Sequence, residues 1–253
     1  MRIDDLDTPR NQADAISSIL KILDTYGLKW DGSVYYQSEH IACYAEYLTT
    51  LSQQDLIYRC SCSRKELAHH QSGIYSGHCL KNPPPASKKA ALRIKSRNVL
   101  VHFHDTLQGE YQSNIATEQG DFILQRKDDI YAYQFAVVVD DYLQKITHVV
   151  RGYDLIDNTA RQIYLQTLLG YPQIQYRHVP LIVDPQGQKL SKQTHAQPVC
   201  AKTPEKTLYL LLSLLKMNPP SSLAQASVEE IITWAISNWR ITNLQQIHSL
   251  AEH

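Results

Sequence analysis

No apolar run in this chain of 253 residues approaches the roughly 18 residues that a membrane span needs, and no signal-peptide pattern opens it. Net charge is missing as well, since 25 basic residues meet 25 acidic ones. Bulk electrostatics therefore gives no support for nucleic-acid binding, and any RNA contact has to come from a local basic face. Phenylalanine is scarce, three residues against sixteen tyrosines. Five cysteines without a secretory signal argue against a disulfide framework. Internal repeats and low-complexity tracts are absent too. What remains, 43% apolar and 20% charged residues, is the composition of a soluble globular protein expected in the cytoplasm. Its length suffices for one good core with a small appended unit.

Thr8-Pro9 reads as an N-cap with proline at the first helical position. The spacing predicts a helix to about Tyr26, stopped at Gly27, with Ile16, Ile19, Leu20 and Leu23 on one face. A second helix is expected from Ser38, carrying Ile41, Tyr44, Ala45, Leu48 and Leu51. From about 56 to 97 the pattern breaks into short apolar pieces, cysteines and Pro83-Pro84-Pro85, and reads as an insertion built around a metal. Within it, Ser63-Arg64-Lys65-Glu66 fits a capping box. From Ala91 to Arg151 strands dominate, including Asp121 to Gln125, Tyr133 to Val139 and Ile146 to Val150. Asp154 to Leu169 is helical and ends at Gly170, giving the alternation of a parallel sheet. Beyond Pro198 the chain turns helical, with Thr203-Pro204 opening one helix and Ser227 to Glu230 capping another.

Three cysteines cluster as Cys60-Ser61-Cys62 and Cys79, while Cys43 and Cys200 are isolated. Two thiolates spaced by one residue grip one zinc ion from a turn, and Cys79 can close the loop from its other side. Chemistry alone leaves the fourth ligand open among His78, His69 and His70. The role is structural, because a catalytic zinc needs an open position and a nearby acid or base.

A second concentration of chemistry is Lys189-Leu190-Ser191-Lys192-Gln193, on a loop turned by Asp184-Pro185-Gln186-Gly187 after an apolar run. Two lysines flanking a small hydroxyl can close on a polyphosphate whose charge grows in a transition state. Three other segments accompany it: Arg2-Ile3-Asp4-Asp5-Leu6-Asp7-Thr8-Pro9-Arg10, Ala132 to Asp141, and His148-Val149-Val150-Arg151-Gly152-Tyr153-Asp154-Leu155. In this order and spacing the four resemble the catalytic domain of class I glutamyl-tRNA synthetases over roughly residues 1 to 200. The likeness is greatest to the short relatives without an anticodon-binding domain, the glutamyl-queuosine tRNA(Asp) synthetases. The lysine loop stands where that family has K-M-S-K-S.

The resemblance implies an α/β fold with a Rossmann-type parallel sheet, a zinc-binding insertion at about 56–97 and a short C-terminal helical region over 201–253. It implies ATP (with Mg), glutamate and tRNA(Asp) as substrates of a monomeric ligase. Arg151 would take the glutamate side-chain carboxylate, Asp4 its ammonium group and Tyr133 an aromatic and hydroxyl contact. Lys192, helped by Lys189 and Ser191, would stabilise departing pyrophosphate. Asp4 stands where the family usually has glutamate, one methylene longer. The family's zinc pattern, C-x-C then Y-x-x-x-C, corresponds to Cys60, Cys62, Tyr75 and Cys79, which makes Tyr75 the rival of His78. Taken singly, Asp4 could cap a turn, Arg151 could pair with Asp140 or Asp154, and Tyr133 could be core.

The family's first signature, H-I-G-H or a variant, lies upstream of R-I-E-D, where this chain has only Met1-Arg2-Ile3. The expectation is an N-terminally truncated sheet that lacks its first strand and the helix N-terminus for ATP phosphates. Two rival functions follow: a fragment of an ordinary glutamyl-tRNA synthetase, and a catalytically inactive, zinc-stabilised RNA-binding relative. The chain beyond Pro198 is too short for the helical anticodon-binding domain of the first.

Overall fold

A computed structural model describes residues 1–8, 14–68, 74–75, 77–190, 199 and 201–251. The first helix, α1 (Ala15–Thr25), ends at Tyr26 and turns out through Gly27 at φ +68°. Its expected apolar face is rotated: Ile19 is exposed, while Ile22 and Tyr26 pack against helices from the end of the chain. The second, α2 (Ile41–Gln53), buries Tyr44, Leu48 and Leu51 at helical spacing.

The main sheet has four strands in the order β6-β5-β9-β8. These are β5 (Leu100–Asp105), β6 (Gly109–Asn114), β8 (His148–Gly152) and β9 (Gln175–Val179). β8, β9 and β5 run parallel, and β6 closes a hairpin antiparallel to β5. A separate parallel pair joins β1 (Arg2–Ile3) to β2 (Tyr35–Tyr36). The helix α6 (Ile156–Leu169) connects β8 to β9 and stops at Gly170, φ +70°. That right-sized crossover is what parallel neighbours require.

One sequence expectation is overturned. Residues 133–139 are not a strand but the first two turns of α5 (Tyr133–Leu143). Phe135, Ala136, Val137, Val138 and Val139 are all buried, so this helix is covered on every side. Such a helix shows no amphipathic period, and its three consecutive valines imitate a buried strand. It forms the main core with α2 and α6, where Phe135, Leu51, Ile94, Leu124, Leu165 and Tyr176 meet.

The metal-type insertion contains β3 (Ile57–Cys60), α3 (Arg64–Ala68), α4 (His78–Lys81) and β4 (Ala91–Ile94). Its β3 and β4 pair antiparallel, and β4 then pairs with β7 (Ile123–Gln125), so the unit is sewn to the body through a strand beyond residue 97. The capping box is formed: Ser63 N donates to Glu66 Oε2 at 2.6 Å and Glu66 N to Ser63 Oγ at 3.2 Å. Near the C-terminus, α7 (Pro204–Leu214) and α8 (Val228–Asn238) pack around Leu208, Leu212 and Ile231. This region is not helical throughout, because β11 (Ser249–Ala251) pairs parallel with β10 (Leu181–Val183). Among the described residues no helix is long and apolar enough to cross a membrane.

Candidate active site and metal group

Arg151 sits one residue before the end of β8, at the carboxyl ends of the parallel strands, where open α/β sheets bind ligands. Neither Asp140 nor Asp154 pairs with it. Its Nη2 donates to Thr159 Oγ1 at 2.6 Å and its Nε to His178 Nε2 at 3.2 Å. His178, directly across on β9, is wholly buried and reaches Asp105 on β5, Nδ1 to Oδ2, at 2.7 Å. A carboxylate only accepts and a guanidinium only donates. The imidazole is therefore the neutral tautomer with hydrogen on Nδ1 and a lone pair on Nε2. Three adjacent strands thus carry one relay, Asp105–His178–Arg151. Among the described residues Arg151 Nη1 makes no hydrogen bond, which leaves that side of the guanidinium for a ligand.

Asp105 also accepts the amides of Leu107 and Gln108, each at 2.9 Å. Burial opposes its charge. Hydrogen bonds from His178 and the two amides outweigh that and hold the carboxyl below its ordinary range. Asp105→Asn should accordingly cost about 2 kcal/mol, within the range for leaving buried donors without their charged acceptor. Because the folded carboxyl titrates below the unfolded one, this stability is fully present above about pH 4 and is lost as pH falls through the folded value. Urea unfolding at pH 7 and below pH 4 checks this, since the variant's deficit should shrink on acidification.

Tyr133 opens α5 after Ala132, and its ring is exposed rather than part of the core. Asp4 follows β1, where Arg2 Nε donates to it at 2.8 Å while Arg2 Nη1 meets Asp141 at 2.6 Å. Asp140 beside it is wholly buried and accepts from Tyr35, Gln37 and Tyr44. Burial pushes the Asp140 and Asp141 carboxyls upward against these donors. Tyr176 links the two sides. Burial raises its phenol to about 12, and it lies within electrostatic reach of Arg151, Asp141 and Tyr133.

The lysine loop hangs from β10. Asp184 Oδ1 accepts the amides of Gln186 and Gln188, and Gly187 takes φ +78°, so the turn forms as its residues dictate. Lys189 Nζ pairs with Asp154 Oδ2 at 2.5 Å. A Cβ at Gly152 would lie 2.6 Å from Asp154 Oδ1, so a side chain there would require the Asp154 carboxylate to shift. The residues Ser191, Lys192 and Gln193, with His69 and His70, lie outside the described residues.

Cys60, Cys62 and Cys79 converge, their Sγ atoms all within 4.8 Å of one another. The Tyr75 hydroxyl stands 3.3 Å from Cys60 Sγ and 3.5 Å from Cys62 Sγ, and it accepts the Cys79 amide at 2.9 Å. A tetrahedral zinc with bonds of about 2.3 Å sets sulfurs about 3.8 Å apart, so this donor set fits the ion. His78 is exposed and stands apart from the three thiols. Burial works against the Cys79 thiolate, but hydrogen bonds from Tyr75, Cys62 and the Ser61 backbone bring it down to about 7. Burial and the same sulfurs push the Tyr75 phenol upward, so without a metal it stays neutral. The Arg93 guanidinium lies 4.0 Å over its ring.

His178, Thr159 and Asp105 escaped the sequence reading. A histidine inside Gln175-Tyr176-Arg177-His178-Val179 carries no signal until the strand order places it across from Arg151.

The pattern matches known proteins. The family "tRNA synthetases class I (E and Q), catalytic domain" matches residues 1–234. Glutamyl-Q tRNA(Asp) synthetase of Ectopseudomonas mendocina is 43% identical over 252 residues, all of this chain and 85% of that protein. Its counterpart in Thiobacillus denitrificans is 45% identical over 249 residues, 96% of this chain and 83% of that protein. The fold is also that of a glutamate tRNA ligase from Elizabethkingia meningosepticum, with a TM-score of 0.76 at 21% identity. That match covers 99% of this chain and 59% of the ligase. With four motifs, a parallel-sheet site and a family match across most of its length, the chain belongs to the class I tRNA synthetases for glutamate and glutamine.

Proposed function

We propose that this chain activates glutamate with ATP and transfers the glutamyl group to queuosine in the anticodon of tRNA(Asp). The observation that carries the reading is the Asp105–His178–Arg151 relay, which aims a fixed guanidinium at the carboxyl end of the sheet. A planar fork held at two of its donors meets a carboxylate without further ordering. The glutamate side chain would bind there, its ammonium group at Asp4, and Tyr133 would close the flank. The α-carboxylate oxygen attacks the α-phosphorus of ATP, the bond to the bridging oxygen breaks, and pyrophosphate leaves with the electron pair. Lys189 would exchange Asp154 for the polyphosphate, and Lys192 and Ser191 would act beside it. Catalysis is then positioning and electrostatic stabilisation, with no covalent enzyme intermediate. In the second step a hydroxyl of the queuosine cyclopentene ring attacks the mixed anhydride and AMP departs. Mg accompanies the ATP. One zinc on Cys60, Cys62, Cys79 and Tyr75 would hold the insertion, and the enzyme would act as a monomer in the cytoplasm.

Glutamate-dependent exchange of labelled pyrophosphate into ATP is the direct test, with glutamine and aspartate as controls. Exchange with glutamate alone is expected, followed by transfer to tRNA(Asp) containing queuosine and not to the unmodified tRNA. Folded protein that binds tRNA without exchange would replace this reading with that of a non-catalytic RNA-binding relative.

A further inference from the structure

We infer that His248 is a positioning residue for the lysine loop, so that the segment 246–251 belongs to the frame of the active site. Its imidazole stacks on Tyr153, with ring centres 4.1 Å apart and planes within 10° of parallel. Tyr153 immediately precedes Asp154, the partner of Lys189. The His248 carbonyl accepts Leu181 N at 3.0 Å, at the first residue of β10. That strand in turn carries Lys189. Val183 and Lys189 form an antiparallel bridge, and Leu190 N donates to the Ile182 carbonyl at 3.0 Å. One residue therefore touches both supports of the Lys189–Asp154 pair, its ring on the carboxylate side and its carbonyl on the ammonium side.

The segment is anchored without the help of that ring. Gln246 N donates to the Leu107 carbonyl at 2.8 Å. Gln108 Nε2 reaches the Ile247 carbonyl at 3.1 Å and the His178 carbonyl at 2.7 Å. Leu244 and Leu250, on either side of His248, are buried together with Leu107. His248 itself is exposed, so its side chain adds nothing to that small core. What the ring does is hold Tyr153, which packs against the main core as well and is therefore fixed from two directions. A stacked pair is worth up to about a tenfold preference for one arrangement. Here that preference sets where Asp154 stands relative to Lys189. An ion pair that opens to a polyphosphate needs a defined starting geometry, since misplacement by about 1 Å costs up to about 10²-fold in rate. This role rests on the reading of Lys189 as a polyphosphate contact.

The test is glutamate-dependent pyrophosphate exchange by the full chain. His248→Ala is expected to lower kcat about tenfold with KM for glutamate unchanged, because a contact made only as charge builds on pyrophosphate acts on kcat. His248→Phe keeps a flat ring on Tyr153 and should restore most of the rate. Gln245→Ala, on the same segment, should behave as wild type. Adding His248→Ala to Lys189→Ala should cost nothing further, since both act through one contact. Hydrogen exchange gives a readout independent of the chemistry. The Ile156 amide, which donates to the Tyr153 carbonyl, should exchange about tenfold faster in His248→Ala, and the Gln246 amide as in wild type. Full activity in Lys189→Ala would overturn the reading of the lysine loop. Loss in Lys189→Ala beside an undiminished kcat in His248→Ala overturns this inference alone. So does an Ile156 amide that exchanges equally in both proteins, a result that decides the matter even if wild type exchanges no pyrophosphate.

Discussion

Removing the zinc proposed at the thiol group, by chelation or by Cys79→Ser, is expected to unfold residues 61–90 while β3, β4 and the main core survive. The reason is how little else holds that unit. Its own buried apolar cluster consists of Cys60, Tyr75 and Cys79, with Tyr58, Cys62 and Leu67 half-covered around it. Three of those six residues are the thiols themselves. Structural zinc sites contribute about 10–16 kcal/mol of apparent binding free energy at neutral pH, and in small units that is folding free energy. Without it the short helices α3 and α4 have no independent support, whereas β4 stays paired with β7 and keeps Ile94 in the main core. Metal analysis should find one equivalent in wild type and none in Cys79→Ser. Trypsin should then cut at Lys88 or Lys89 at least a hundredfold faster, with Cys43→Ser unchanged, since Cys43 lies in α2 apart from the thiol group. Tyr75→Phe should weaken the metal and His78→Ala should leave it alone. Wild-type protein free of metal yet equally resistant to protease would sink the structural role.

Replacing Arg151 by methionine is expected to lower kcat/KM for glutamate by about 10²–10⁴-fold, with KM for ATP nearly unchanged. An unpaired carboxylate in a partly buried site costs about 3–5 kcal/mol, and each 1.36 kcal/mol is tenfold in rate. Lysine should not rescue the loss. It lacks the fork that reaches Thr159 and His178 on one side while presenting donors to a ligand on the other. Asp105→Asn should act more weakly and chiefly on KM, because it loosens the imidazole that aims the guanidinium. Pyrophosphate-exchange kinetics against glutamate concentration separates these effects. An unchanged glutamate KM in Arg151→Met would remove Arg151 from the pocket.

Elements with a strong period or a clear stop were legible before any coordinates: α2, α6 with Gly170, and α8 with its Ser227–Glu230 capping box. The hidden helix was α5, since burial on all sides erases the alternation that distinguishes helix from strand. The cysteine group was legible because thiolate spacing is itself a local signal. What supports Arg151 was not legible, since it depends on β5 and β9 being neighbours 73 positions apart. The surplus of tyrosine over phenylalanine also gains a physical reason. Tyr35 and Tyr44 donate to the buried Asp140, Tyr58 to Asp121 and Tyr111 to Asp157, so many rings bring a hydroxyl that a carboxylate needs.

The pairing of β11 with β10 has a consequence for when the site comes into being. Leu181 pairs with Ser249 and Val183 with Ala251, and Leu181 N also bonds the His248 carbonyl. The stem of the lysine loop is thus clamped by a segment translated long after it. Chain growth is vectorial, so contacts with later segments form after those among earlier ones. During synthesis the sheet and the Asp105–His178–Arg151 relay can assemble early, while the stem of the lysine loop waits for residues 249–251 to pair with β10.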